Sequence, residues 1–482
     1  MVWAINLGIA LLCLFSFVNN QQILLRSDGG IFAHIGQQLA LGRQLYVDLW
    51  DHKPPLIYWW NALGCHLDPQ GLRGIWFLTS AHFFAAGNLL YFALRPRVGS
   101  LPAGIACVLF AAGIFHQLDQ PNYTETFALP WQITLLWLAF IAMERAHSLP
   151  STFFAGICTA MLLATRPNNA GAGAFFLASL TISGLLSKKD QKLSIHYALW
   201  LAGLCVALLL ISIPFILSGA FEDLLFASFQ FNFIYASQKS LSQQVGAALQ
   251  GLLQLHAGGA LLFAFVGWLL LVSFNRTLAL LLGCWFCLEI FLASLSGRAY
   301  EHYFVVPLAA AVSLAAFGLR QIFEELEFGT PLYKSIFVSL LLLFGLQALW
   351  AIRANRQKGL DSESPGFKSM VSFLGPKDSY YCWGNGPRHI WFNLRRPPPV
   401  PLFHTTPLLA NEGQYRILAP ALFRSLLANP PVRLIEYKDT VVSLSPDVWD
   451  SQETAQLKRQ FLALYLVAEQ THNHRFWVKR TG

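Results

Sequence analysis

Apolar residues dominate the first 352 positions in blocks long enough to span a bilayer, and polar residues gather in the gaps. Eleven blocks predict membrane helices, at approximately 2–25, 73–94, 101–116, 125–143, 151–165, 169–186, 194–217, 251–273, 277–295, 302–319 and 335–352. Only RPNN separates 151–165 from 169–186, which predicts a tight hairpin of two short helices. The first block is uncharged, lacks a basic start and runs on without a small-residue cleavage site. It therefore predicts a retained helix rather than a removed signal. Glu289 is the one acid or base inside a block away from its ends; a cationic site residue is its expected partner, though none is legible.

The gap after the first block is long and patterned. SDGGIFAHIGQQLALG opens on a Ser/Asp cap signal and closes on Gly42, and Ile31, Ile35 and Leu39 recur every four residues. This predicts a helix with one apolar face, lying in the membrane interface. PPLIYWWNALG predicts a second, with Pro at its start, Gly64 at its end and Trp59 and Trp60 at headgroup level. Between them DLWDHKPPLIYWW sets Asp48, Asp51, His52 and Lys53 against a Pro-Pro-aromatic run. Lys53 precedes proline and is biased toward an extended conformation, beside the positive N-terminal end of the second helix. An ammonium there suits a phosphate carried on a lipid. Snorkelling anchorage by Lys53 and the aromatics is the other reading.

From residue 353 the pattern changes. SYYCWG, VRLIEYK and HRFWVKR alternate as strands do, ETAQLKRQFLALYLVAEQ reads as a helix, and RRPPPVP fits neither a helix nor a central strand. The predicted fold class is an all-α polytopic membrane protein of about 11 transmembrane helices, with interfacial helices in the first external loop. A small C-terminal α/β extracytoplasmic domain completes it. The predicted boundaries are 1–352 for the transmembrane domain and 353–482 for the other.

Composition agrees: 55% of residues are hydrophobic, 12% are charged, and the mean hydropathy is +0.48. Soluble chains carry about twice that charge fraction. The tail, with 17 Lys+Arg against 10 Asp+Glu, holds most of the net +8, facing lipid headgroups or simply water. Lys and Arg are denser in the short loops that would be internal if the N-terminus is cytoplasmic. That orientation puts the tail outside, and the expected location is the bacterial inner (plasma) membrane. Cys284 and Cys287 lie within an apolar block and predict buried small apolar residues rather than a metal or disulfide site.

With that orientation Asp28, Asp48, Asp51, Lys53, Asp119, Glu125, Arg166, Arg298 and His302 all face one side, as a chemistry site at the membrane surface would. A transporter or flippase would instead carry charges near the midplane.

RSDGGIFAHIGQQLALGRQLYVDLWDHKPPLIYWW resembles the first external loop of GT-C superfamily membrane glycosyltransferases. It looks most like glycosyltransferase family 39, the protein O-mannosyltransferase-like group, and the related lipid A aminoarabinose transferases. Asp28 after the first helix, Gly42-x-x-x-Tyr46-x-Asp48 and the run from Lys53 to Trp59 carry the likeness. NYTETFALP, TRPN and GRAYEHYFVVPL extend it in order across residues 1–352. Gly29 departs from the Asp-Glu pair of protein mannosyltransferases, which argues away from protein O-mannosylation.

The resemblance implies a polyprenyl-phosphate-sugar donor, an acceptor hydroxyl on a lipid, glycan or protein, and inversion at the anomeric carbon. Asp28 is then the general base, its other reading being a helix cap. Lys53, Arg166, Arg298 and His302 are candidates for the donor phosphate. Structural roles stay open for the last three: a carboxylate partner for Arg166, helix capping for Arg298 and His302. Tyr46, Asp48, Asp119 and Glu125 are candidates for acceptor or sugar. Asp28, Asp119 and Glu125 with His34 or His302 have no diagnostic metal spacing, so no cofactor is required and a divalent cation is not favoured. Membrane lipids are expected partners and nucleic acid is not.

Overall fold

The structure is a computed structural model that describes residues 27–69, 72–118, 120–144, 148–186, 193–237, 239–257, 259–325, 365–384, 389–405, 407–408, 412–438, 442–472 and 474–480, with the single positions 331, 335 and 339. The chain forms two compact units of interleaved sequence. Met1–Asn19, Trp76–Pro214 and Lys239–Lys358 make the first; Asn20–Ile75, Phe215–Gln238 and Gly359–Gly482 make the second.

The first unit is helical. Among the described residues seven helices are long and apolar enough to cross a membrane: Arg73–Val98, Ser100–Gln117, Thr124–Glu144, Pro167–Leu186, Leu193–Leu217, Arg276–Ser294 and Glu301–Glu325. The chain is an integral membrane protein. Leu149–Thr165 is apolar but shorter, and its partner in the predicted hairpin follows a 3-10 turn at Pro167–Asn169. Block 2–25 and nearly all of 335–352 lie outside the described residues.

One predicted span is corrected. The block at 251–273 is two helices, Leu241–His256 and Ala260–Phe274, bent by 92°. Gly259 at the break has a φ of +77°, which costs glycine nothing and ends the helix. Cys284 and Cys287, expected to be buried, lie exposed on the surface of an apolar helix.

Glycines decide the helix crossings. A Cβ on Gly318 would stand 2.5 Å from the Gly267 Cα, and one on Gly267 would stand 2.1 Å from the Leu314 carbonyl oxygen. Lipid gives helices no hydrophobic reason to associate, so small residues that admit close backbone packing take that role.

The second unit gathers the first external segment and the tail. Helices Ser27–Ala40 and Leu56–Leu67 both form as predicted. The first, however, presents no water-facing polar stripe. Residues 29–38 are all buried, His34, Gln37 and Gln38 included. Small residues explain the enclosure: a Cβ on Gly36 would stand 2.5 Å from the Asn61 Cβ. The helix packs on Leu56–Leu67 and on the tail helix His389–Leu394.

The tail folds around a four-stranded sheet of order β1-β2-β4-β3, from Tyr380–Trp383, Arg433–Tyr437, His474–Lys479 and Tyr465–Gln470 respectively. β1 and β2 are parallel and the other pairs antiparallel, with Leu434 opposite both Tyr381 and Trp477. The predicted helix over ETAQLKRQFLALYLVAEQ is half right. Gln452–Ala463 is helical, but Tyr465–Gln470 is edge strand β3, because β4 satisfies its backbone along one side. Trp383, Tyr415, Phe423, Leu434, Phe461 and Phe231 share one core. Each such side chain buried contributes about 1.5–3 kcal/mol.

Candidate active site

In the second unit the segment linking helices Ser27–Ala40 and Leu56–Leu67 is built as a tight fold. Gly42 and Tyr46 both have positive φ, +87° and +68°. For tyrosine that conformation is strained, and such strain persists only where the surroundings enforce it. Here the Tyr46 N–H donates to the Leu49 carbonyl at 2.7 Å, and Asp48 accepts the Gln44 N–H at 2.8 Å. The Tyr46 hydroxyl donates to the Lys53 carbonyl at 2.7 Å and lies 3.2 Å from Ser228 Oγ. Tyr46 and Asp48, predicted to touch acceptor or sugar, thus shape the loop that carries Lys53. The π turn Phe226–Gln230 supplies Ser228, and Asn232 just beyond it donates to the His52 carbonyl at 2.6 Å.

Lys53 is buried, with Nζ 3.0 Å from His52 Nε2. An ammonium only donates, so Nε2 accepts and the neutral ring carries its proton on Nδ1. That nitrogen lies 2.9 Å from Asp51 Oδ1. Tyr58 donates to Asp51 Oδ2 at 2.6 Å, and His404 Nε2 stands 3.6 Å from Oδ1. Burial alone would push the Asp51 carboxyl up, but His52, His404 and Lys53 outweigh it and hold it well below the usual carboxylate range. His52 is pushed down, first by burial and then by Lys53, against the pull of Asp51 and Asp28.

Asp28 lies in the first turn of its helix, where the helix dipole favours an acid. It is partly buried and near enough to act electrostatically on His52. Asp28, predicted as the base, thus acts electrostatically on the imidazole that Lys53, predicted for the phosphate, contacts. His52, Tyr58 and His404 were not among the predicted site residues, and Asp51 was placed on the site's side without a role. For Asp51 and His52 the signal was adjacency to Lys53; for His404 no spacing points to it.

In the first unit Glu125 opens helix Thr124–Glu144, accepts a hydrogen bond from the Thr124 hydroxyl at 2.9 Å and is ion-paired with Arg166. Arg166 caps helix Leu149–Thr165, and its guanidinium lies 3.7 Å from the centre of the Tyr303 ring. Two residues predicted for different ligands are thus partners. His302 stacks on Tyr123 with centroids 4.0 Å apart. Arg298 is exposed on the loop before it, and together with burial it pushes the Lys239 ammonium down. Glu289, expected to meet a cation, accepts from Gln132 at 3.1 Å and Trp285 at 2.7 Å, and its carboxyl fills the space a Cβ on Gly171 would need. Asp119 lies outside the described residues. Among the described residues no group of three or more His, Cys, Asp or Glu has the geometry to hold a metal.

No sequence-family profile matches the chain, and no curated protein does. Solved structures do. ArnT from Cupriavidus metallidurans in the apo state is similar over 98% of this chain and 97% of that one, with 13% identity and a TM-score of 0.63. The same protein bound to undecaprenyl phosphate gives 0.52 over the same extents. The Archaeoglobus fulgidus oligosaccharyltransferase in its apo form covers 90% of this chain and 69% of its own, with 14% identity and a TM-score of 0.53. Both are GT-C fold glycosyltransferases. At these identities the shared property is the fold.

Proposed function

We propose, for a chain built on the GT-C fold, that it transfers a sugar from a polyprenyl-phosphate donor to an acceptor hydroxyl at the outer face of the membrane, with inversion. The observation that carries this reading is the buried Lys53 ammonium, held at His52 in the segment that follows the helix with Asp28 in its first turn. A carboxylate to take the acceptor's proton and a buried ammonium to meet the leaving phosphate are what displacement of a phosphate from an anomeric carbon needs. Asp28 takes the proton of the acceptor hydroxyl as its oxygen attacks. The sugar–phosphate bond breaks on the opposite face, its electron pair stays on the leaving phosphate, and Lys53 meets that charge. The lipid class is supported by the ArnT neighbour solved with undecaprenyl phosphate. Arg298 and His302 keep their proposed phosphate role, whereas Arg166 and Glu125 act in our reading as a pair that holds their helix ends. Lys53 supplies the charge opposite the phosphate, so we expect turnover to survive EDTA.

The test is turnover by purified protein, offered undecaprenyl- and dolichyl-phosphate sugars with extracted envelope acceptors. Asp28→Asn is expected to lower transfer by about 10²–10⁴-fold. An unchanged rate removes Asp28 from the mechanism. Movement of a lipid-linked glycan across vesicles without transfer would favour the transporter reading instead.

A further inference from the structure

We propose that His404, from the C-terminal tail, is a positioning residue for Lys53, so that the tail completes the donor-phosphate site. This rests on the glycosyltransferase reading. The second unit supplies every contact in the argument.

The delivery of His404 is specific. The Pro-rich run 398–401 forms neither helix nor strand, and its last carbonyl, on Pro401, accepts the Trp50 N–H at 2.9 Å, one residue before Asp51. Proline rings fix φ along this run and remove competing N–H donors. Beyond it the Leu402 carbonyl accepts from the Tyr381 hydroxyl at 3.1 Å, and the Thr405 hydroxyl donates to the Gly384 carbonyl at 2.8 Å. Residues 402–405 are thereby clamped to β1 and its end. Between the two clamps His404 is 4% exposed, with its ring 4.9 Å from that of Phe403.

Its Nε2 faces the Asp51 oxygen that His52 Nδ1 also faces, at 3.6 and 2.9 Å. The chain from tail to cation is thus His404, Asp51, His52, Lys53. A buried carboxylate needs partners on every side to hold one rotamer, and Tyr58 takes its other oxygen. With Asp51 held, the carboxylate 2.9 Å from Nδ1 fixes the place of the His52 ring. Nε2 is then kept as an acceptor that aims the Lys53 ammonium. Without His404 the carboxylate loses the ring that stands 3.6 Å from it on the tail side, Oδ1 keeps the His52 backbone N–H at 2.8 Å, and the aim of Lys53 loosens. The function of the tail, in this reading, is to hold a residue more than 300 positions earlier in register with a lipid phosphate.

The experiment measures binding of undecaprenyl phosphate and of undecaprenol to full-length protein in detergent. His404→Ala and the shape-preserving His404→Phe are each expected to weaken phosphate-lipid binding by about 10–100-fold, the range seen when the outer partner of a metal ligand is lost. His404→Gln, which restores a donor, should recover most of it. In the Lys53→Ala background His404→Ala should cost nothing more, because His404 acts through Lys53. A folded His404→Phe that binds as wild type does, or an additive double variant, overturns the proposal. Should neither His404 variant fold, Asp51→Asn decides it: a loss of tenfold or more supports the chain of contacts, and no loss overturns it. Wild type that binds both lipids alike overturns the donor reading itself, a result distinct from failure of His404 alone.

Discussion

His34 shows how much a single buried ring contributes to the pH response. It is 0% exposed, with its ring 5.0 Å from that of Phe403 and 5.9 Å from that of Trp391. Burial, then His404, push its pKa down to about 3. The unfolded chain takes up a proton below about pH 6.5, whereas the folded chain does not until about pH 3. Stability is therefore complete above pH 6.5 and falls with acid, by up to about 1.4 kcal/mol per pH unit. His52, shifted the same way, adds to the fall, and Asp51 adds below about pH 4, where its unfolded form protonates. Melting temperatures in detergent should drop from pH 7 to 5, and His34→Phe should flatten that slope. An unchanged slope would mean that the histidine is protonated in the fold. Nothing in the sequence distinguishes His34 from a solvated helix residue, since the rings packed on it, Trp391 and Phe403, come from the distant tail.

At the scale of elements, local pattern served well where an element's fate depends on its own residues. Among the described residues the long apolar runs are helical, Asn275 caps Arg276–Ser294 by accepting the Leu278 N–H at 3.0 Å, and Gly42 ends the first external helix region with a positive φ. It failed where a neighbour decided. Tyr465–Gln470 reads as more helix and is a strand because β4 lies beside it. Helix crossings are likewise legible only in three dimensions. Gly318→Leu forces apart two backbones in contact and should cost about 1–3 kcal/mol or more, seen as a lower melting temperature or loss of monodisperse protein. Gly104→Leu is the control: a Cβ there meets nothing within 4 Å, and no loss of stability is expected.

At the scale of the molecule, the second unit draws on three separated stretches of chain, 20–75, 215–238 and 359–482. A chain truncated after Lys358 keeps every residue of the predicted transmembrane domain yet loses Trp391, Phe403 and the sheet. Residues 27–69 should then become open to limited proteolysis, with turnover lost even though the membrane helices insert. Full turnover by the truncated chain would contradict the joint unit. From its sequence alone this protein was bound to be a multi-span membrane protein with a structured, charged first loop and a mixed α/β tail. Hydrophobic runs, prolines and glycines act on their own neighbourhoods, so those features are local. The meeting of Asp51 with His404, the pairing of Glu125 with Arg166 and the enclosure of His34 belong to tertiary structure. Each joins groups whose distance along the chain carries no information about their distance in space, and only the packing of the whole unit brings them within reach.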